Sequence, residues 1–188
     1  VMVETCANRE AAGECVAWAD EVYHLASAVG VELVLARPVH AIEANARANE
    51  AILGEAARRG RKLVLTSTSE VYGSSPERAF REDQDLVLGA PSKARFAYAC
   101  SKLMGEFLAL AYRKELRLDV RIARLFNTVG PRQTGRFGMV LPRFVDQALE
   151  GGPIRVFGDG GQRRAFAWVG DIVRGLLRLM EEPRAEGE

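Results

Sequence analysis

The chain has 188 residues, with 26 Lys plus Arg against 25 Asp plus Glu and a net charge of +1 at pH 7. So even a balance gives no electrostatic footprint for nucleic acid or an anionic membrane surface, and no apolar run approaches the ~18 residues that a membrane span needs. Cys6, Cys15 and Cys100 lack metal-ligand spacing and have only His24 and His40 to assist them, so no metal site is expected. With no signal peptide visible, reduced thiols and a cytoplasmic protein are the expectation.

The elements follow in chain order. Residues Asn8 to Ala19 have helical composition, with Asn8 placed as an N-cap. Glu21 to Leu25 reads as a short strand, and Ala26 to Gly30 as a loop of small residues. Pro38 suits the first turn of a long helix, in which Ile42, Ala46, Asn49, Ile52, Leu53 and Ala56 recur at helical spacing. Arg58-Arg59-Gly60 ends it with cations and a glycine. Lys62 to Ser67 is a continuous apolar strand that turns polar at its C-terminal end, the pattern of a central parallel strand covered on both faces.

A loop carrying Pro76 and Pro91 leads into a helix from Phe96 to about Leu116. Asp119 to Leu125 is the next strand, Phe126 to Gly138 a Gly- and Pro-containing loop, and Val140 to Glu150 a helix broken by Gly151-Gly152-Pro153. Ile154 to Phe157 reads as a short strand, Gly158 to Gly161 as a turn, and Val169 to Glu182 as a last amphipathic helix. Alternating strands and helices predict an α/β fold, a doubly wound parallel sheet with helices on both faces.

In such sheets the ligand lies beyond the C-terminal strand ends. Ala26-Ser27, Thr66-Ser67-Thr68-Ser69-Glu70 and Phe126-Asn127 all fall there. Tyr98 and Lys102 follow, four apart and therefore on one helix face. A fixed ammonium beside a phenol favours phenolate, so the pair predicts a tyrosine with a lowered pKa that can take a proton from an alcohol.

The run Thr66-Ser67-Thr68-Ser69-Glu70-Val71-Tyr72-Gly73 followed by Tyr98-Ala99-Cys100-Ser101-Lys102 resembles the extended short-chain dehydrogenase/reductases. Within them it is similar to the NAD-dependent nucleotide-sugar epimerases, dehydratases and decarboxylases. The likeness continues through Asp20 to Ala26, Asn45, Arg124 to Arg132, and Arg164-Ala165-Phe166 to Asp171. It implies a Rossmann-like NAD-binding part over residues 1–126 and a small nucleotide-sugar-binding part over 127–188, each incomplete at its chain end.

The resemblance implies a role for each matching residue. Tyr98 is the base, Lys102 holds the nicotinamide ribose, and Thr68 bonds the reacting sugar hydroxyl. Leu25, Ala26, Ser27, Asn45, Thr66 and Ser67 belong to the NAD side, and Asn127, Phe157 and Arg164 to the nucleotide-sugar side. Taken alone, Arg164 is a surface cation and Phe157 a core ring. The family's glycine-rich phosphate turn has no counterpart here, so a folded fragment with weak NAD binding is expected, inactive without the preceding residues. Ala48-Asn49 and Ala165 also depart from the common family pattern, and Ser69 stands where dTDP-glucose dehydratases carry an aspartate.

The implied chemistry is oxidation at sugar C4 to a 4-keto intermediate, after which epimerases, decarboxylases and dehydratases diverge. Glu70 bears on that choice, as a catalytic carboxylate like that of UDP-glucuronate decarboxylases and GDP-mannose dehydratases or as a turn cap. A UDP-sugar 4-epimerase acting on UDP-glucose is placed first, the UDP-glucuronate decarboxylase or a GDP-mannose-type dehydratase second. The non-enzyme alternative is a dinucleotide-binding module without turnover, against which Tyr98 and Lys102 speak. A homodimer is expected of the complete protein, with no nucleic-acid or membrane partner.

Overall fold

The computed structural model describes residues 6–75, 79–135 and 139–187. Pro76 and Gly138 of the two predicted loops, with both chain ends, lie outside the described residues. Helix α1 spans Arg9–Trp18, and Asn8 caps it by accepting from the N–H groups of Glu10 and Ala11 at 3.1 and 3.3 Å. Strand β1 is Glu21–His24, and a short helix α2 covers Val31–Ala36. Helix α3 runs from Pro38 to Arg59. Its C-cap Gly60 has φ 62°, a left-handed conformation that costs glycine least.

Strand β2 is Lys62–Thr68, helix α4 Phe96–Leu116, and strand β3 Val120–Leu125. The three strands form one parallel sheet in the order β1-β2-β3. Beyond it come β4 (Asn127–Val129), α5 (Val140–Leu149), β5 (Phe166–Trp168) and α6 (Val169–Glu181).

The central strand explains the layers. Alternate residues of a strand face opposite ways. Leu63 and Leu65 pack with Val16, Ile52, Leu53, Ala56, Ala109 and Leu118, the core under α1, α3 and α4. Val64 packs on the other side against Leu176 and Met180 of α6. Helices therefore cover both faces of the sheet, as the unbroken apolar run of β2 implies. Helix α6, from the expected substrate part, completes the core of the first sheet.

The structure departs from the sequence expectations in three places. Val31–Ala36 is helical where no element was expected. The loop after β3 contains β4, which pairs in parallel with β5 through Asn127–Phe166, Thr128–Ala167 and Val129–Trp168. Residues 154–157 do not form a strand; Ile154, Val156 and Phe157 are all exposed, and no strand among the described residues pairs with them. Three apolar residues of four suggest a strand locally, but a strand exists only through a partner.

Candidate active site

The parallel sheet delivers all its C-terminal strand ends to one side. His24 ends β1, Thr68 ends β2, and Leu125 ends β3 opposite Thr68. Thr68 then caps the 3₁₀ turn Ser69–Tyr72, its Oγ1 accepting from the Glu70 N–H at 3.3 Å. Helix α4 starts close by, so that Tyr98 in its first turn meets Ser27 from the β1 loop and Thr68 from β2. Three segments far apart in sequence thus converge on one phenol.

The electrostatics of that phenol correct the sequence expectation. Burial pushes the Tyr98 pKa up to about 12; the Glu70 carboxylate adds to the rise, and hydrogen bonds with Ser27 and Thr68 oppose it. Lys102 is itself buried, and desolvation lowers its pKa to about 8 while Glu106 pulls the other way. Helical spacing put the two residues on one face as expected. It did not reveal how strongly burial penalises the phenolate, with the Glu70 charge adding to the rise.

A buried polar frame holds these groups. Asn45 on α3 is 3% exposed, and its Oδ1 accepts from the Ala28 N–H at 2.8 Å and the Ser27 hydroxyl at 2.9 Å. Its Nδ2 donates to the Ser101 Oγ at 3.1 Å and the Ala28 carbonyl at 3.3 Å. Asn45 therefore clips the loop after β1 to α4, with its amide committed to protein groups. Thr66 is also engaged, its hydroxyl donating to the His24 carbonyl at 3.1 Å. Leu25 and Ala26 are exposed and Ser27 half-buried beside them.

Sequence reasoning missed several members of this frame. His24 is buried and bonded to the Asn49 Oδ1 at 3.1 Å; burial first, then Lys102, lowers its pKa to about 4, so it is neutral at pH 7. Glu106 is buried one helical turn beyond Lys102 and is held by Arg124 at 2.8 Å. A buried acid four residues from the lysine was a signal available in the spacing; its partner on β3 was not.

Around the rim, Glu70 has a raised pKa through burial, opposed by the guanidinium charges of Arg164 and Arg95. Asn127 donates to the Ala165 carbonyl at 2.9 Å, which places it beside Arg164. Arg164 itself is exposed. Phe157 stands apart in character, an exposed ring with the Arg143 guanidinium 5.6 Å from its centroid. Among the described residues no cluster of His, Cys, Asp or Glu is arranged to hold a metal, and no helix is long and apolar enough to cross a membrane.

The residues at the strand ends suit a polar organic cofactor. Ser67 places a buried Oγ there that has no partner among the described residues, and a buried polar atom left so is costly unless something bonds it. Ser27, Tyr98 and Lys102 also belong to this end of the sheet, and donors of this kind fit the hydroxyls and amide of a dinucleotide.

Comparison with known proteins agrees. The sequence model of the NAD dependent epimerase/dehydratase family matches residues 5–188. The chain is 40% identical over 170 residues to the UDP-N-acetyl-alpha-D-glucosaminuronate decarboxylase of Bacillus cytotoxicus, covering 90% of this chain and 52% of that protein. It is 39% identical over 161 residues to UDP-glucuronic acid decarboxylase 1 of Xenopus tropicalis, covering 86% of this chain and 38% of that one. The UDP-glucuronic acid 4-epimerase of Bacillus cereus, solved in complex with UDP-glucuronic acid and NAD, superposes with a TM-score of 0.85 at 29% identity, over 97% of this chain and 56% of that chain. The chain thus spans about half or less of the length of these relatives. Matched along almost its whole length, and folded as these enzymes are, the chain belongs to the NAD dependent epimerase/dehydratase family.

Proposed function

We propose that the complete protein is a decarboxylase of a UDP-linked uronic acid, working through a 4-keto sugar. The observation that carries this reading is the charge around Glu70. A uronate carboxylate entering a partly closed site needs cations, since an unpaired buried charge costs several kcal/mol, of order 3–5. Arg164 and Arg95 act on the position beside Tyr98 where Glu70 lies, so guanidinium charge reaches the place where a uronate carboxylate would enter. An ionised Glu70 would repel the substrate carboxylate, and the two guanidinium groups oppose that repulsion. The curated relatives named above, both decarboxylases, support the same choice.

In this proposal Tyr98 accepts the C4 hydroxyl proton and Thr68 orients that hydroxyl. Bound NAD would supply the acceptance and return of a hydride at C4. The 4-ketone makes the substrate a β-keto acid, so the C5 carboxylate leaves as carbon dioxide and the electron pair passes into an enolate that is then protonated. Lys102 and Ser27 contact the cofactor's ribose side, with Leu25, Ala26, Thr66 and Ser67 around it and Asn45 holding the loop. Asn127, Arg164 and Phe157 serve the nucleotide-sugar side, within the 127–188 part. The cytoplasmic setting belongs to the proposal too.

The homodimer is also proposed, supported by the exposed apolar stripe Met104, Phe107 and Leu110 on α4; sedimentation of the complete protein checks it.

The test of function is product analysis by NMR with UDP-glucuronate, its 2-acetamido analogue and UDP-glucose. A UDP-pentose or its 2-acetamido counterpart, with carbon dioxide and no net NADH, is expected from a uronate. UDP-galactose from UDP-glucose, with both uronates untouched, would instead establish the 4-epimerase, which shares Tyr98, Lys102 and Thr68.

A further inference from the structure

The turn Ser69–Tyr72 that carries Glu70 ends in a buried aromatic ring, Tyr72. The chain that leaves this turn comes back to it before α4 begins. The Ser74 N–H donates to the Val87 carbonyl at 2.8 Å. The Phe80 ring stacks on the Tyr72 ring, with centroids 4.6 Å and planes 11° apart. The ring of Phe126, just past β3, lies 6.5 Å from the first of these carbonyl-side neighbours, Tyr72, and 6.3 Å from Phe80. Helix α4 packs against the same turn.

Arg124 joins these pieces from the end of β3. Its Nε donates to both oxygens of the buried Glu106 on α4 at 3.1 and 3.2 Å, and its Nη2 to Oε2 at 2.8 Å. Its Nη1 donates to the Glu82 carbonyl at 3.2 Å, two residues beyond Phe80. Its guanidinium carbon lies 5.1 Å from the Tyr72 ring centroid, within the range of a cation–π contact. One planar group thus touches helix α4, the Glu70 turn and the returning loop together. A forked guanidinium suits this task because its donors point in fixed, different directions. A buried ion pair adds little net stability over apolar packing, but its geometry is specific.

We propose that Arg124 is a positioning residue, which with Phe80 latches the Glu70 turn against the Tyr98 helix and so fixes where Glu70 stands in the site. The proposal rests on the reading that Glu70 and Tyr98 belong to one active site. Arg124 and Phe80 act on the reaction through Glu70. The turn is gripped on its last residue, Tyr72, while Thr68 caps its first, so both ends of a four-residue segment are held.

The test uses the complete protein with NAD and the preferred uronate. Arg124→Lys keeps a cation for Glu106 but cannot serve Glu106, Glu82 and the Tyr72 ring at once. Phe80→Ala removes the stacked ring from the loop side; that ring is 40% exposed, so this variant keeps the core intact and decides the matter if Arg124→Lys does not fold. Each is made alone and combined with Glu70→Gln. The pH profile of kcat/KM is measured for all, with NAD affinity by calorimetry. Arg124→Lys and Phe80→Ala are each expected to lower kcat/KM about tenfold, the scale of a small misplacement of a reacting group, with NAD affinity unchanged. In either background, Glu70→Gln should alter the profile much less than it does in the wild type, because residues that act as a unit are not additive.

A Glu70→Gln effect of full size in the latch variants, or a fall in NAD affinity that matches the fall in rate, would overturn the latch and leave a structural cluster. A Glu70→Gln profile identical to wild type would overturn the underlying site reading, and the latch with it.

Discussion

The Glu70 carboxylate and the Tyr98 phenol work against each other: the charge on Glu70 raises the pKa of Tyr98, second only to burial, toward about 12. Glu70→Gln removes that charge and keeps the shape. The phenolate then forms more readily, so the acid limb of kcat/KM is expected to shift to lower pH while the maximal rate falls if Glu70 also transfers a proton. An acid limb unmoved by the substitution would show that Tyr98 ionisation does not set it.

Tyr98→Phe in the complete enzyme should lower turnover by about 10²–10⁴, the range for loss of a general base. Binding of NAD, followed by calorimetry, should be nearly unchanged, because Lys102, Ser27 and Ser67 remain. Turnover within twofold of wild type would remove Tyr98 from the chemistry.

His24 predicts a pH-dependent stability. Its pKa falls from 6.5 in the unfolded chain to about 4 in the fold, so between those values the unfolded state binds more protons. Stability is therefore full above pH 6.5 and is lost as pH falls toward 4. The loss is about 3 kcal/mol, at ~1.4 kcal/mol per pKa unit. Denaturant melts across this range should show it, and His24→Gln should flatten the slope even though the variant is less stable at pH 7. A slope identical in both proteins would assign the dependence to other groups.

Gly105 lies where α4 meets α3, and a Cβ on it would overlap the Asn49 amide that holds His24. Gly105→Ala should therefore destabilise by about 1–3 kcal/mol despite the better helix propensity of alanine. The thermal midpoint should drop by roughly 2–4 °C for each kcal/mol. A midpoint equal to or above wild type would mean that Asn49 moves aside freely.

Much of this site was legible in the sequence because it sits where local pattern is strong. The apolar run of β2 marked a central strand, and the hydroxyls at its end marked the ligand side. Helical spacing put Tyr98 and Lys102 on one face, and the surrounding strand-end residues with the family resemblance gave the pair its place. What escaped was set by partners distant in the chain. Asn127–Val129 becomes a strand only because Phe166–Trp168 lies beside it, whereas the more apolar residues 154–157 have no partner strand among the described residues. Arg124 could not be matched to Glu106 without the crossing of β3 and α4. The pKa of Tyr98 came out opposite in direction, because spacing reports a neighbour's charge but not how much water has been removed.

The Asn45 clip has a consequence for which mistakes the gene can absorb. Its oxygen receives two donors and its nitrogen faces two acceptors, Ser101 Oγ and the Ala28 carbonyl. Aspartate copies the shape and is one nucleotide away, yet it would set an oxygen against the Ala28 carbonyl oxygen in a place closed to water. At this position a near-perfect steric copy is therefore as harmful as a truncation, and similarity of form gives the protein no protection from a single misread base.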